Sequence, residues 1–147
     1  YNSSAKDANA VVVKRDDLDM DFFVESVTYV FYTNVSEEAY YISAILNSSI
    51  PNLVIKDFQA RGLFGARHVH KKILDVYFPK FDPADSKHLQ LVQLGQAAHE
   101  KVNEFLAGIP ADQKVAGNQL GRIRLEIKKH LAKEMKEIDG VVRGIVG

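Results

Sequence analysis

The pattern of apolar positions changes its period near Ser36. Before that residue the chain has two runs rich in β-branched and aromatic residues, AVVVKR (10–15) and MDFFVESVTYVFYT (20–33). Runs of this composition favour β-strands, and Asp16-Asp17 suits a turn between them. The pattern therefore predicts two strands in the first third of the chain.

From Ser36 onward most apolar residues recur at helical spacing. Ser36 is the expected N-cap of a first helix, SEEAYYISAILNSS, whose two glutamates favour the positive helix end. Pro51 favours the start of a second helix, PNLVIKDFQA, which should end before Gly62. We also predict a long helix from Ser86 to Leu106 and a last helix at about residues 118–138.

Between these pairs of helices lies HVHKKILDVYFP, which we interpret as a third strand stopped by Pro79. The resulting order of elements predicts an α+β fold, with a small mixed or antiparallel sheet and helices, followed by a C-terminal helical segment. We expect an α+β domain at 1–107, a linker at 108–117, and a C-terminal helix and tail at 118–147.

Composition narrows the classes of function. Nineteen basic and nineteen acidic residues in 147 exclude a globally basic nucleic-acid binder, so any site for a polyanion must be a local patch. The chain has no cysteine, which excludes disulfides and thiolate chemistry. It shows no signal peptide and no apolar stretch of membrane-spanning length. We therefore expect a cytoplasmic protein without a membrane partner.

One local patch of this kind lies between Asp57 and Asp75, where no acidic residue occurs. Glycines there let the backbone approach a ligand closely, and arginine can form bidentate hydrogen bonds to guanine or phosphate. A solvated surface turn is the alternative interpretation. The candidate DNA-binding residues of this segment are Arg61, Gly62, Gly65, Arg67, His68, His70, Lys71 and Lys72.

Motifs typical of enzymes find less support. Glu126-x-Lys128, with Asp112 upstream, has the spacing of a metal-dependent nuclease, but it lies in a helical period where these two side chains point apart. His68-x-His70 could supply half of a zinc site, and no further cluster completes it locally. Nucleophile-elbow, phosphate-loop and dinucleotide-binding motifs are absent from the sequence. We expect no catalytic residue and no metal site.

The elements YYISAILNS, a glycine-and-arginine loop, ILDVYFPKFD and a long helix follow one another in the chain. This succession resembles the C-terminal target-recognition region of N6-adenine DNA methyltransferases of restriction–modification type. The similar proteins are type IIG and phage-defence methyltransferases and, more distantly, type I specificity subunits. The resemblance covers roughly residues 27–106 and, more loosely, EMKEIDGVVRGIVG at the end of the chain.

The resemblance implies sequence-specific recognition of double-stranded DNA on behalf of an upstream methyltransferase domain that uses S-adenosylmethionine. The N/D-P-P-Y/F motif and the glycine-rich cofactor motif of that family are absent here. We therefore expect this chain to be non-catalytic and to bind no cofactor by itself. The alternative is a helical protein-interaction or assembly domain, whose C-terminal helices pair with another subunit of a larger complex.

Overall fold

In the computed structural model, the described residues are 1, 7–19, 21, 23–24, 27–58, 60–62, 65–67, 72–110 and 117–146. They form five α-helices: α1 (Ser36–Asn47), α2 (Ser49–Val54), α3 (Ser86–Ala107), α4 (Gly117–His130) and α5 (Ala132–Arg143). Two short strands, β1 (Ala60–Gly62) and β2 (Gly65–Arg67), pair in antiparallel fashion. Single 3₁₀ turns occupy Arg15–Asp17, Ile55–Phe58 and Lys72–Asp75.

The main core lies where α1, α3 and α5 pack together. Each helix contributes one apolar face, as its 3.6-residue period requires. Gly95 of α3 permits the close approach of α1, because a Cβ atom there would lie 2.9 Å from the carbonyl oxygen of Tyr40. The buried members of this core are Tyr40, Tyr41, Ala44, Ile45, Leu91, Val92, Ile138 and Val142.

The helix predictions are largely confirmed, with corrections at the ends. The first and third helices occupy the predicted ranges to within about two residues. Asp85, rather than Ser86, caps α3, since its carboxylate accepts hydrogen bonds from the backbone N–H groups of Lys87 and His88. The second helix is shorter than predicted and ends at Val54, where a 3₁₀ turn replaces it.

The predicted last helix is longer than expected and divides into α4 and α5 at Leu131. The backbone N–H of Leu131 still donates to the carbonyl of Ile127, and that of Met135 donates to Leu131, both at 2.9 Å. Leu131 thus donates the last of these bonds to α4 and accepts the first bond from α5, so the two helices meet at this residue without an intervening loop, and we refer to them together as the α4–α5 rod.

The predicted α+β fold with a sheet is wrong for the described residues. Apart from the three-residue strands β1 and β2, they are helices, turns and irregular segments. The runs at 10–15 and 20–33 form no ladder there, although Thr28 makes an isolated bridge; residues 20, 22, 25 and 26 lie outside the described part. Strand propensity takes effect only through cross-strand partners, and the described residues offer these runs a single such pairing, in which Tyr29 and Tyr1 exchange backbone hydrogen bonds at 2.8 Å.

Side-chain amides hold the N-terminal run in place of a neighbouring strand. Asn47 accepts a hydrogen bond from the N–H of Ala10 at 3.0 Å and donates to the carbonyl of Ala10 at 2.9 Å. Asn52 accepts from the N–H of Ala8 at 2.7 Å. One amide thus satisfies both backbone groups of a residue, as a strand partner would. The run is consequently attached to α1 and α2.

The third predicted strand is also wrong over its described part, residues 72–79, whereas residues 68–71 lie outside the description. Lys72–Asp75 forms a 3₁₀ turn. Ile73 and Val76 are buried three positions apart, which is the spacing of a helical turn and not the alternation of a strand. They join Ala8, Leu46 and Ile55 in a second, smaller core.

Candidate functional site

Four of the eight candidate DNA-binding residues lie in a β-hairpin. The register pairs Arg61 with Ala66, Arg67 with Ala60, and Gly62 with Gly65, so the glycine pair flanks the connection between the strands. The structure describes the backbone of these residues, whereas His68, His70 and Lys71 lie outside the described part of the chain. The segment that the sequence presented as a loop is therefore in part a two-stranded ribbon.

Buried residues fix the base of this hairpin. The 3₁₀ turn before it and the 3₁₀ turn after it contact one another. Ile55 of the first turn and Ile73 of the second are both buried in the smaller core. Burial of two such side chains contributes about 3–6 kcal/mol in all, so the chain is anchored in the smaller core both before and after the hairpin.

Lys72 is the candidate residue whose side chain the structure describes. It is exposed, and its ammonium nitrogen lies 5.8 Å from the centroid of the Phe58 ring. A cation–π contact at an exposed site contributes about 0.5–1 kcal/mol. This contact crosses the base of the hairpin and keeps one positive charge there.

A buried tyrosine–histidine pair attaches the segment after the hairpin to the helical core. His88 Nδ1 accepts a hydrogen bond from the backbone N–H of Asp82 at 3.0 Å, so in the neutral ring Nε2 carries the proton. Nε2 lies 3.3 Å from the hydroxyl of Tyr41, which donates to the carbonyl of Pro79 at 2.8 Å. Every polar atom of the pair has a structural partner.

The chemistry available to this pair is limited. Burial, together with the nearby Asp85 carboxylate, raises the pKa of Tyr41 to about 12, so its phenol stays protonated at neutral pH. The neighbouring depression is polar and lined by side chains that include Lys80 and Lys87. Sequence reasoning missed this pair, because Tyr41 and His88 are 47 positions apart. We assign it a structural role.

The serines of the ILNSS segment also have structural partners. Asp139 of α5 accepts hydrogen bonds from the Ser48 hydroxyl at 2.8 Å and from the Ser49 backbone N–H at 2.9 Å. The hydroxyl of Ser49 donates to its second carboxylate oxygen. This cluster connects α5 to the start of α2, so this part of the segment that carries the family resemblance serves packing.

The motifs considered for enzymes are not assembled into a site where the structure describes them. Glu126 and Lys128 are both exposed on α4, and Asp112 lies outside the described part. No group of three or more His, Cys, Asp or Glu residues suited to a metal ion occurs among the described residues. Within the same residues, no helix is both long enough and apolar enough to cross a membrane.

The β1–β2 hairpin is thus the part of the described structure in which four of the predicted DNA-binding residues have a defined backbone register, and the turns on either side of it carry buried residues. Comparisons with protein-family models, with curated proteins and with solved structures found no match for this chain.

Proposed function

We propose that this chain is a sequence-specific DNA-recognition module that uses the β1–β2 hairpin and its flanking cations. The observation that carries the proposal is the attachment of a glycine- and arginine-containing ribbon to a buried base. The major groove of B-DNA is wide enough to admit a two-stranded β-ribbon. A short ribbon flanked on both sides by the buried Ile55 and Ile73 is our candidate for that entry.

The distribution of charge supports the same partner. Residues 59–80 contain five lysines and arginines and one aspartate, a net charge of +4, whereas residues 1–58 contain four against nine, a net charge of −5. A local excess of positive charge raises the concentration of a polyanion nearby. The hairpin is therefore cationic within a chain that is neutral as a whole.

We further propose that the module serves a methyltransferase domain elsewhere in a longer protein, which would hold S-adenosylmethionine and perform the methyl transfer. The support is the sequence resemblance together with the lack of the family's catalytic and cofactor motifs in this chain. A chain without cysteine suits a reducing compartment, and we propose a cytoplasmic location.

Binding of fluorescent duplex DNA tests the proposal through its salt dependence. Three or four phosphate contacts by the hairpin segment should contribute about −3 to the slope of log affinity against log salt. Lys71→Ala and Lys72→Ala should each reduce the magnitude of that slope by about 0.9 and weaken binding to all sequences alike. Lys14→Ala, which removes a charge far from the hairpin in sequence, is the matched control.

Arg61 and Arg67 are the candidates for base contacts. Selection of preferred duplexes from a random pool should yield a consensus, and Arg61→Ala or Arg67→Ala should then weaken binding to it by about 1–3 kcal/mol, with a much smaller effect on other sequences. If a variant that combines Arg61→Ala and Arg67→Ala kept the wild-type affinity and site preference, the hairpin would be an ordinary surface turn.

Exposed apolar residues support the alternative, a protein-interaction module. Tyr32 is 86% exposed and Phe31 59%, just before α1. The apolar faces of α3 and α5 are already buried against α1, so a partner could use Leu120 and Leu125 of α4 instead. Self-association or complex formation that persists as salt increases, without DNA binding, would favour this alternative.

A further inference from the structure

The α4–α5 rod and the short tail after it carry a second concentration of positive charge. Residues 117–147 contain seven lysines and arginines and four acidic residues, a net charge of +3. All seven cationic side chains are exposed. They are Arg122, Arg124, Lys128, Lys129, Lys133, Lys136 and Arg143.

Two of the four acidic residues are bound by side chains or backbone groups of other helices. Glu134 is only 8% exposed and accepts a hydrogen bond from the Lys101 ammonium group of α3. Asp139 is engaged by Ser48 and Ser49. Lys101 offsets the charge of Glu134, whereas the serine groups bound to Asp139 are neutral, so seven cations against the three other carboxylates leave a net charge of +4 on the rod.

Five of the cations recur at spacings of 7, 4, 3 and 7 residues, which repeat the helical period. Three of the five belong to α5, where they lie on the side opposite the buried Ile138 and Val142. At 1.5 Å per residue the row is about 30 Å long, close to one turn of B-DNA. We call it the rod's cationic face and define it as Arg122, Lys129, Lys133, Lys136 and Arg143.

The cationic side chains of this face repel one another unless a nearby anion offsets their charge. Lys133 has like-charged neighbours at i−4 (Lys129) and i+3 (Lys136), and like charges at these spacings destabilise a helix. The compensating contact is the pair of Lys133 and Glu137, whose charged atoms are 4.0 Å apart and exposed. Exposed pairs contribute little, so most of the positive charge stays available to an external anion.

We propose that the rod's cationic face is a second surface for the phosphate backbone of duplex DNA, separate from the hairpin. Its regular spacing suits a row of phosphates, and its lysines suit contacts that carry no sequence information. The inference rests on the proposed function for the identity of the polyanion. In this arrangement the hairpin selects the sequence and the rod adds affinity.

The test replaces Lys129, Lys133 and Lys136 together by glutamine, which retains helix propensity. If each lysine neutralises one phosphate, the slope of log affinity against log salt should fall in magnitude by about 2.7. Preference among duplex sequences should not change. The control replaces Lys6, Lys14 and Lys56 by glutamine, which removes equal charge from residues 1–58 and should leave the slope within about 1 of the wild-type value.

The outcomes separate the two proposals. Wild-type slope and affinity in the triple variant, with reduced binding in the hairpin variants, would overturn the role of the rod alone. Equal losses in the triple variant and its control would overturn it too, because net charge would then explain the effect. No binding of duplex DNA by the wild-type protein would overturn both. Binding to vesicles that contain phosphatidylserine tests an anionic membrane as the alternative partner. A triple variant that loses vesicle binding but keeps DNA binding would contradict the assignment of this face to nucleic acid.

Discussion

Replacement of Asn52 by alanine should destabilise the protein severely. The side chain is 5% exposed and makes three hydrogen bonds, accepting from the N–H of Ala8 at 2.7 Å and donating to the carbonyls of Leu46 and Ser48 at 3.1 and 2.8 Å. Each bond contributes about 1 kcal/mol net, and leaving the buried N–H of Ala8 without a partner costs about 1–3 kcal/mol more. We expect a loss of about 4–6 kcal/mol in the free energy of unfolding, a large part of the 5–15 kcal/mol typical of a domain.

Urea denaturation followed by circular dichroism measures this loss, and two further variants calibrate it. Asn47→Ala removes the partly buried bonds to Ala10 and should cost about 1–2 kcal/mol. Asn103→Ala changes an exposed asparagine of α3 and should stay within about 0.5 kcal/mol. Trypsin should also cleave the Asn52→Ala protein faster after Lys14 and Arg15, because the N-terminal run loses an attachment. A cost below about 1 kcal/mol for Asn52→Ala, or one smaller than that of Asn47→Ala, would refute the reasoning.

Two further predictions concern packing and charge. Gly95→Ala should destabilise the protein by about 1–3 kcal/mol, because the new Cβ would lie 2.9 Å from the Tyr40 carbonyl oxygen. Gly121→Ala, with open space around the new Cβ, should stabilise α4 by up to about 1 kcal/mol. Thermal unfolding of both variants measures the contrast, and a stabilising Gly95→Ala would contradict the close helix contact. The hydrogen bond from Lys101 lowers the pKa of Glu134 below its usual 4.5, so its stabilising effect is full above that pH and is lost as the pH falls through the lower pKa of the folded protein. The difference in unfolding free energy between wild type and Lys101→Met should therefore be largest near about pH 7 and shrink in acid, and a constant difference would argue against the pair.

The sequence by itself determined the helices that form the main core. Apolar residues in α1 and α3 recur every three or four positions over 12 and 22 residues, and a helix that buries such a face is stable in almost any compact arrangement. The cationic segment between Asp57 and Asp75 was equally visible, because its residues are neighbours along the chain. Periodicity and local composition are properties of short stretches, so a single sequence displays them.

Only the tertiary structure could show which conformation the β-branched runs adopt, because a strand exists only through partners that lie elsewhere in the chain. Val11 and Val13 have high strand propensity, yet side-chain amides of α1 and α2 hold the neighbouring backbone of Ala8 and Ala10. Propensity alone could not distinguish this attachment from a sheet. The prediction of an α+β fold was wrong for that reason.

The same division between what the sequence shows and what the tertiary structure decides applies to the two candidate DNA surfaces. Their cations were apparent in the sequence, but the buried base of the hairpin depends on Ile55 and Ile73, which are 18 positions apart. The charge of the rod depends on the buried Glu134, which pairs with Lys101 of α3, 33 positions away. Sequence reports how many charges a segment has, whereas only the packing of distant residues decides which of them face the solvent.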